Sequence, residues 1–210
     1  MSENNQKKNT FDRNDVEILS QRSLYKGFFK ANSYRFKHRL FAGGWSQELE
    51  REVFERGHAA AVLLYDLPRD ALVLVEQFRF GALETCDNPW LLEMVAGIIE
   101  PGERADEVVR REALEEAGVT AGKMMPMLSY LASPGGSTEK LDLFLAEVDS
   151  TQACGLHGLV SEGEDIRVQV ISRTDAMVLL RQGVINNAAT VIALQWLALN
   201  LEQVKDEWGS

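Results

Sequence analysis

One stretch of the chain, residues 97–119, constrains both the fold and the chemistry more than any other. It reads GIIEPGERADEVVRREALEEAGV. Residues 91–96 before it are apolar and predict a short strand, followed by a loop that begins at Gly97 and contains Pro101 and Gly102. A helix is predicted over residues 105–117, and Gly118 after it is expected to be a C-cap that tolerates positive φ.

The predicted helix carries three glutamates on one side. Because an α-helix advances by about 100° per residue, Glu112, Glu115 and Glu116 fall within roughly 100° of arc. A stripe of apolar residues beside that arc is expected to face the core: Val109, Ala113 and Ala117.

Three carboxylates on one helical face repel each other, and no Lys or Arg shares their arc. Arg111 is one residue off, and at four-residue spacing it is expected to pair with Glu107 or Glu115. Such a cluster suits Mg²⁺, which prefers carboxylate oxygens completed by water and substrate phosphate. An acidic helix face is also typical of a solvated surface, so the helix by itself leaves both interpretations open.

The arrangement as a whole follows the pattern G-x5-E-x7-R-E-A-x-E-E-x-G-V from Gly97 to Val119. On this pattern the chain resembles the Nudix hydrolases, whose loop-helix binds metal. Ala113 is the one weak match, because the family pattern asks for an aliphatic residue there. The resemblance extends over nearly the whole chain and is greatest to the bacterial ADP-ribose pyrophosphatases. Ser133-Pro134-Gly135 with Glu139 resembles the segment that marks this branch.

Composition limits the partners and the compartment. The chain has 22 basic and 32 acidic residues and a net charge of −10, which disfavours binding to a nucleic-acid backbone. Cys86 and Cys154 form no C-x-x-C pair and are expected to be free thiols, although one disulfide remains compatible with the sequence. The first fifteen residues are polar, and no apolar run is long enough to span a bilayer. We therefore expect a cytoplasmic protein without a membrane partner.

The order of patterns along the chain predicts an α/β fold. Residues 1–56 contain strand-like runs at 16–19, 23–29, 33–41 and 47–55, and predict a small N-terminal antiparallel β unit whose thin core must pack on something larger. Residues 57–210 begin with two apolar runs joined as a hairpin and end with helices at 174–182 and 187–204. We expect a mixed β-sheet sandwiched between helices, which agrees with the Nudix fold that the resemblance implies.

The resemblance also implies which residues bind the metal and perform catalysis. Two or three Mg²⁺ ions, with Mn²⁺ as a possible substitute, would be held by the Ala96 carbonyl, Glu112, Glu116 and Glu164, with Glu115 in or just outside the coordination sphere. Glu162, in a glycine-punctuated loop, matches the family's proton acceptor. Composition alone slightly favours a mobile, solvated loop.

Substrate contacts follow from the same resemblance. The phosphates and ribose would be bound by Arg51, Glu52, Arg56 and Arg79. The adenine would lie near Phe28 and Phe29. Further contacts would come from Ile98, Ser133, Gly135 and Glu139. The β unit resembles the part that the family exchanges between subunits, which implies a homodimer with a shared active site.

The expected reaction is Mg²⁺-dependent hydrolysis of the diphosphate of ADP-ribose to AMP and ribose 5-phosphate. Two alternatives remain at this stage. One is the same chemistry on another nucleoside diphosphate sugar such as GDP-mannose. The other is a binding module that senses ADP-ribose without catalysis, although such sensors often lack glutamates of the pattern and this chain retains them all.

Overall fold

The structure, a computed structural model, describes residues 11–209 and divides into two units. The first comprises Met1–Arg56 and Ser133–Glu139, and the second comprises Gly57–Ala132 and Lys140–Ser210. The first unit therefore includes a segment from the middle of the chain, which the linear order of the sequence does not indicate.

The first unit is built on a three-stranded antiparallel sheet in the order β1-β2-β3, with β1 at Val16–Lys26, β2 at Lys30–His38 and β3 at Leu49–Glu55. The sequence predicts two strands where the structure has the single strand β1. Register shifts at Ile18/Ser20 and Ser23/Tyr25 interrupt its pairing with β2, so the strand continues through a sequence that does not alternate regularly. The segment 133–139 is attached to β3, because Phe54 N–H donates to Gly136 O at 2.8 Å and Thr138 N–H donates to Phe54 O at 3.1 Å.

The second unit contains one mixed sheet and three helices. The strands run in the order β10-β11-β5-β4-β9-β8, with β6 paired to β5 and β7 paired to β4. Only the β4–β9 pair is parallel among the pairs described. The strands are β4 His58–Asp66, β5 Ala71–Phe78, β6 Trp90–Glu93, β7 Val95–Ile99, β8 Met124–Leu131, β9 Lys140–Glu147, β10 Leu156–His157 and β11 Ile166–Ser172. The helices are α1 Ala105–Ala117, α2 Arg173–Arg181 and α3 Ala188–Trp208.

Helices cover both faces of this sheet, which confirms the predicted α/β sandwich. Side chains alternate across a strand, and β4 accordingly sends Val62 into one core and Leu63 into the other. The first core packs against α1 through Val108, Val109, Ala113 and Ala117. The second packs against α3 through Ala193, Leu194, Leu197 and Val204. The sheet thus fixes the position of α1.

The strand before α1 differs from its prediction. The sequence predicts one strand over 91–96 and a loop from Gly97, whereas the structure has two strands separated at Met94, and Gly97 belongs to the second. The chain changes partners there, because β6 pairs with β5 and β7 pairs with β4. Residues at the start of α3 hydrogen-bond the backbone at this break. Met94 N–H donates to Thr190 Oγ1 at 2.9 Å, and Asn187 Nδ2 donates to Leu92 O at 2.8 Å.

Candidate active site

Helix α1 has the predicted bounds and the predicted C-cap. Gly118 adopts φ 65°, and Val119 N–H donates back to Ala113 O at 3.1 Å, which closes the last turn. The N-cap is Arg104, whose side chain makes no cap hydrogen bond, and Ala105 is the first helical residue, as predicted.

Two of the three helix glutamates lie against strand β7. Glu116 is only 3% exposed, and its Oε2 accepts a hydrogen bond from Ala96 N–H at 3.3 Å. A Cβ on Gly97 would lie less than 3.0 Å from the side chain of Glu112, so glycine is what allows this carboxylate to approach the strand. Glu115 is partly exposed on the same side of the helix. The structure therefore brings Ala96, Glu112 and Glu116 together.

Burial and mutual repulsion raise the pKa values of Glu112 and Glu116. Burial raises the pKa of Glu116 to about 8, and the charges of Glu112 and Glu164 add to the increase. Burial also raises the pKa of Glu112, with further increases from Glu115 and Glu164. Because Glu164 acts on both, the loop after β10 places its carboxylate within electrostatic range of the helix cluster.

Arg111 is the cation that partly compensates this cluster. Its Nη1 lies 2.7 Å from Glu112 Oε1 and 3.5 Å from Glu115 Oε2, and its Nη2 lies 3.6 Å from Glu103 Oε1. The predicted pair with Glu115 is therefore confirmed. The alternative pair with Glu107 is not formed, because the neighbouring Glu112 bends towards the guanidinium and Glu107 lies by Arg104 instead.

The donor set fits a hard divalent cation. Carboxylate oxygens from α1 and the loop, with backbone at Ala96, are the ligands that Mg²⁺ prefers, and a cation would relieve the repulsion that raises the two pKa values. Among the described residues, no three His, Cys, Asp or Glu side chains are already arranged around a common point. Glu112 faces Arg111 and Glu164 faces a backbone amide, so these side chains would have to turn towards an ion.

The loop that carries Glu162 and Glu164 is folded on the backbone of Leu159. Leu159 O accepts from Glu162 N–H at 2.9 Å and from Glu164 N–H at 3.2 Å, while Leu159 N–H donates to Glu164 Oε2 at 3.0 Å. Glu164 is thereby partly buried, whereas Glu162 remains exposed.

Arg79 and Ile98 are the two predicted substrate residues of the second unit outside α1 and its loop. Arg79 Nε donates to Glu93 Oε2 at 2.8 Å, and the positive charge of Arg79 lowers the pKa of Glu116. Ile98 lies in β7, partly buried and opposite Ala59. Sequence reasoning missed Glu93, although a single acid in the apolar run 90–96 was a signal that could have identified it.

Four of the predicted substrate residues form one cluster in the first unit. The Phe28 and Phe29 ring centroids lie 4.8 Å apart, and the Arg56 guanidinium lies 5.6 Å above the Phe29 ring. Arg56 Nη1 also lies 3.1 Å from Glu139 Oε1. The cluster combines the exposed ring of Phe28 and the partly exposed ring of Phe29 with the guanidinium of Arg56.

The remaining four predicted residues of this unit are exposed at its surface. Arg51 and Glu52 lie on β3, and Arg51 Nη1 donates to the backbone oxygen of Glu50 at 2.7 Å rather than to another site residue. Ser133 begins the turn that contains Gly135, and its backbone oxygen accepts from Gly136 N–H at 3.0 Å and Ser137 N–H at 2.8 Å.

Comparison with known proteins identifies the family. The model of the NUDIX domain matches residues 55–194, which include the whole loop-helix and the loop with Glu162 and Glu164. The chain belongs to the Nudix family. The carboxylate cluster on α1 therefore lies within the Nudix domain.

Similar proteins cover almost the entire length of this Nudix chain. The chain is 55% identical over 200 residues to an ADP-ribose pyrophosphatase of Escherichia coli strain K12, covering 95% of the chain and 96% of that protein. It is 46% identical over 201 residues to an ADP-ribose pyrophosphatase of Haemophilus influenzae, covering 94% and 93%. A solved structure described as an ADP compounds hydrolase has a TM-score of 0.70 at 22% identity over 90% of the chain and 96% of its own, and it supports the fold. Within residues 11–209, no helix has the length and apolarity needed to cross a membrane.

Proposed function

We propose that the chain hydrolyses the diphosphate of ADP-ribose to AMP and ribose 5-phosphate. The observation that carries the proposal is the mutually repelling pair of the half-buried Glu112 and the buried Glu116 against β7, with Glu164 in electrostatic range. Relatives that bear the name ADP-ribose pyrophosphatase match over nearly the whole chain, which supports ADP-ribose as the substrate.

Two or three Mg²⁺ ions are the cofactor we propose, with Mn²⁺ able to replace them. The residues that would hold them are Ala96 through its carbonyl, Glu112, Glu115, Glu116 and Glu164. When bound, the ions would neutralise the negative charge of the diphosphate and make a water molecule more acidic. The raised pKa values of Glu112 and Glu116 support this assignment, because a cation favours the charged form that burial disfavours.

The side chains of this chain position the substrate and move the proton. Glu162 would accept the proton of the attacking water on its carboxylate, a contribution of typically about 10² to 10⁴ in rate. Arg79 would contact the phosphates through the guanidinium nitrogens that do not face Glu93. Arg51, Glu52, Arg56, Ser133, Gly135, Glu139 and Ile98 would complete the phosphate and ribose contacts.

The adenine would stack near Phe28 and Phe29, beside the Arg56 guanidinium. This placement supports a nucleotide with a planar base, since aromatic faces and a guanidinium both stack on such rings. Phe28 is 85% exposed, so it is available to a ligand or a partner.

A homodimer that exchanges the unit of residues 1–56, and shares its active site, completes the proposal. All of β1 is exposed, and the first unit exposes Ile18 at 60%, Tyr25 at 63% and Phe41 at 91%. Apolar side chains exposed along a strand are a common feature of subunit interfaces. Light scattering at micromolar concentration tests the dimer, and a monomer would contradict it. We place the protein in the cytoplasm, because both cysteines are free thiols.

A substrate panel tests the proposed reaction. Purified protein with Mg²⁺ is given ADP-ribose, GDP-mannose and other nucleoside diphosphate sugars, and kcat/KM is compared in ¹⁸O-labelled water. We expect ADP-ribose to have the highest kcat/KM and to yield AMP and ribose 5-phosphate, with the label marking the phosphorus that water attacks. A higher kcat/KM for GDP-mannose would select the other pyrophosphatase, and tight ADP-ribose binding without AMP release would select a sensor.

A further inference from the structure

The His157 ring lies at the C-terminal end of α1, and His157 has none of the metal, catalytic or substrate roles proposed above. It belongs to β10, which pairs with β11 at Arg167 and Ile166. Its Nε2–H donates to Cys154 O at 2.8 Å, which fixes the ring orientation. The imidazole then lies directly on Gly118, because a Cβ at Gly118 would lie less than 3.0 Å from the ring carbon Cε1.

Gly118 is therefore required for two reasons. Its φ of 65° favours glycine because that backbone conformation closes the helix. The absence of a Cβ also creates the space in which the His157 ring lies. The second requirement concerns a residue 39 positions later in the chain and cannot be deduced from helix capping.

A second contact fastens the same point of the loop to the helix. Gly158 N–H donates to Glu115 O at 3.3 Å, in the last turn of α1. Gly158 has φ 99°, and a Cβ there would lie 2.7 Å from Glu164 Cβ, so the chain reverses closely against Glu164. Residues 157 and 158 thus connect the helix that carries Glu112 and Glu116 with the loop that carries Glu162 and Glu164.

We propose that His157, lying on Gly118, is a positioning residue that sets the distance between the loop carboxylates and the helix carboxylates. The roles of those carboxylates rest on the proposed function, but the attachment of the loop does not. Without the imidazole, the loop of residues 155–165 loses one of its two contacts with the end of α1 described above and keeps the weaker Gly158–Glu115 hydrogen bond, so Glu162 and Glu164 move relative to Glu116. A displacement of about 1 Å at a reacting centre can cost on the order of 10² in rate.

The first test measures loop attachment without activity. Amide hydrogen exchange of residues 155–165 is followed in metal-free protein for His157→Ala, His157→Phe and His157→Gln. We expect His157→Ala to accelerate exchange at the loop amides by about tenfold or more while α3 is unchanged. His157→Phe keeps the ring contact and His157→Gln keeps an N–H donor, so each should recover part of the protection. Unchanged exchange in His157→Ala overturns the proposal even if the protein hydrolyses ADP-ribose.

The second test separates positioning from binding. For His157→Ala we expect kcat to fall by about 10- to 100-fold and the Mg²⁺ concentration for half-maximal rate to rise, whereas KM changes by less than about threefold. His38→Ala is the matched control, because the His38 ring also bonds a backbone carbonyl, Arg39 O at 2.8 Å, in the other unit. A loss that appears in KM alone, or equally in the control, contradicts the proposal.

A double-mutant cycle identifies Gly118 as the surface on which the ring lies. Gly118→Ala alone should displace the ring and accelerate loop exchange, in addition to straining φ. In the His157→Ala background the same substitution should change loop exchange much less, because no ring remains to be displaced. Additive effects of the two substitutions on loop exchange would show that the ring and the glycine act separately and would overturn the assignment.

Discussion

The carboxylate of Glu93 holds the guanidinium of Arg79, with Nε and Oε2 2.8 Å apart and the Glu93 side chain only 12% exposed. Burial raises the pKa of Glu93 and the charge of Arg79 opposes that increase, so each group is partly compensated by the other. Arg79 also lowers the pKa of Glu116. The guanidinium is therefore held within electrostatic range of Glu116 in the proposed metal site, where a diphosphate would need a positive charge.

Glu93→Gln should weaken substrate binding more than turnover. Replacing the carboxylate removes a charge-assisted hydrogen bond of about 1.5–3 kcal/mol, so Arg79 loses its fixed orientation and KM for ADP-ribose should rise by roughly tenfold or more. Steady-state kinetics measure this. Glu76→Gln is the matched control, because Glu76 lies on β5 and pairs with Arg167 outside the proposed site. Equal KM increases in both variants would contradict the role of Glu93.

Glu116→Gln should abolish turnover and leave the fold intact. Glutamine has the shape of the protonated acid, which the buried site favours because the pKa of Glu116 is raised to about 8. We expect kcat to fall by at least about 10³, the thermal midpoint without metal to be retained or raised, and Mg²⁺ binding by calorimetry to weaken. Glu107→Gln, an exposed acid on the same helix, should retain activity. A fully active Glu116→Gln protein would remove the metal assignment.

Glu162→Gln should separate the chemical step from binding. The side chain is exposed and its amide is held by Leu159 O, so the substitution leaves the loop in place and removes only the proton acceptor. We predict a loss of about 10² to 10⁴ in kcat with Mg²⁺ and ADP-ribose affinities nearly unchanged, as measured by calorimetry. Asp165→Asn, in the same loop, is the control and should keep its rate. If Glu162→Gln loses ADP-ribose affinity without losing rate, the residue is a binding group and not a base.

Asp66 is expected to be a determinant of stability and of acid sensitivity. It is fully buried, and although burial alone would raise its pKa, hydrogen bonds from Ser150 and Arg69 hold that pKa below its ordinary value. These bonds are Ser150 N–H at 2.9 Å, Ser150 Oγ at 2.6 Å, Arg69 N–H at 3.1 Å and Arg69 Nη1 at 3.1 Å. Because the folded pKa is depressed, the stabilisation is complete above the unfolded value near 3.8 and is lost as pH falls through the folded one.

Asp66→Asn should therefore lower the free energy of unfolding at pH 7 by about 2–4 kcal/mol, since buried donors lose a charged acceptor. Urea denaturation between pH 3 and 7 should show the difference from the unsubstituted protein shrinking towards acid pH. The neighbouring Asp149→Asn removes an exposed carboxylate and should have a much smaller effect. A difference that grows on acidification would refute the sign of this linkage.

The helix α1 and its carboxylate cluster could be predicted from the sequence, because both depend on residues that are close together in the chain. Glu116 follows the core residue Ala113 by three positions, so helical periodicity places it at the edge of the buried stripe, and the structure has it 3% exposed. The division of the preceding strand at Met94 was not predictable in this way, because it depends on a hydroxyl at Thr190. The support of Arg79 by Glu93 likewise depends on two strands that meet only in the folded sheet.

The contact between Met94 and Thr190 joins two residues that are synthesised at different times. The loop-helix is translated before Thr190. The Thr190 hydroxyl, which accepts the hydrogen bond of the Met94 amide, follows Met94 by 96 residues. Until Asn187 and Thr190 are translated, a nascent chain leaves the Met94 N–H and the Leu92 carbonyl, which lie just before the loop-helix, without these partners. These two hydrogen bonds must therefore await translation of Asn187 and Thr190, whatever the earlier strands have already formed.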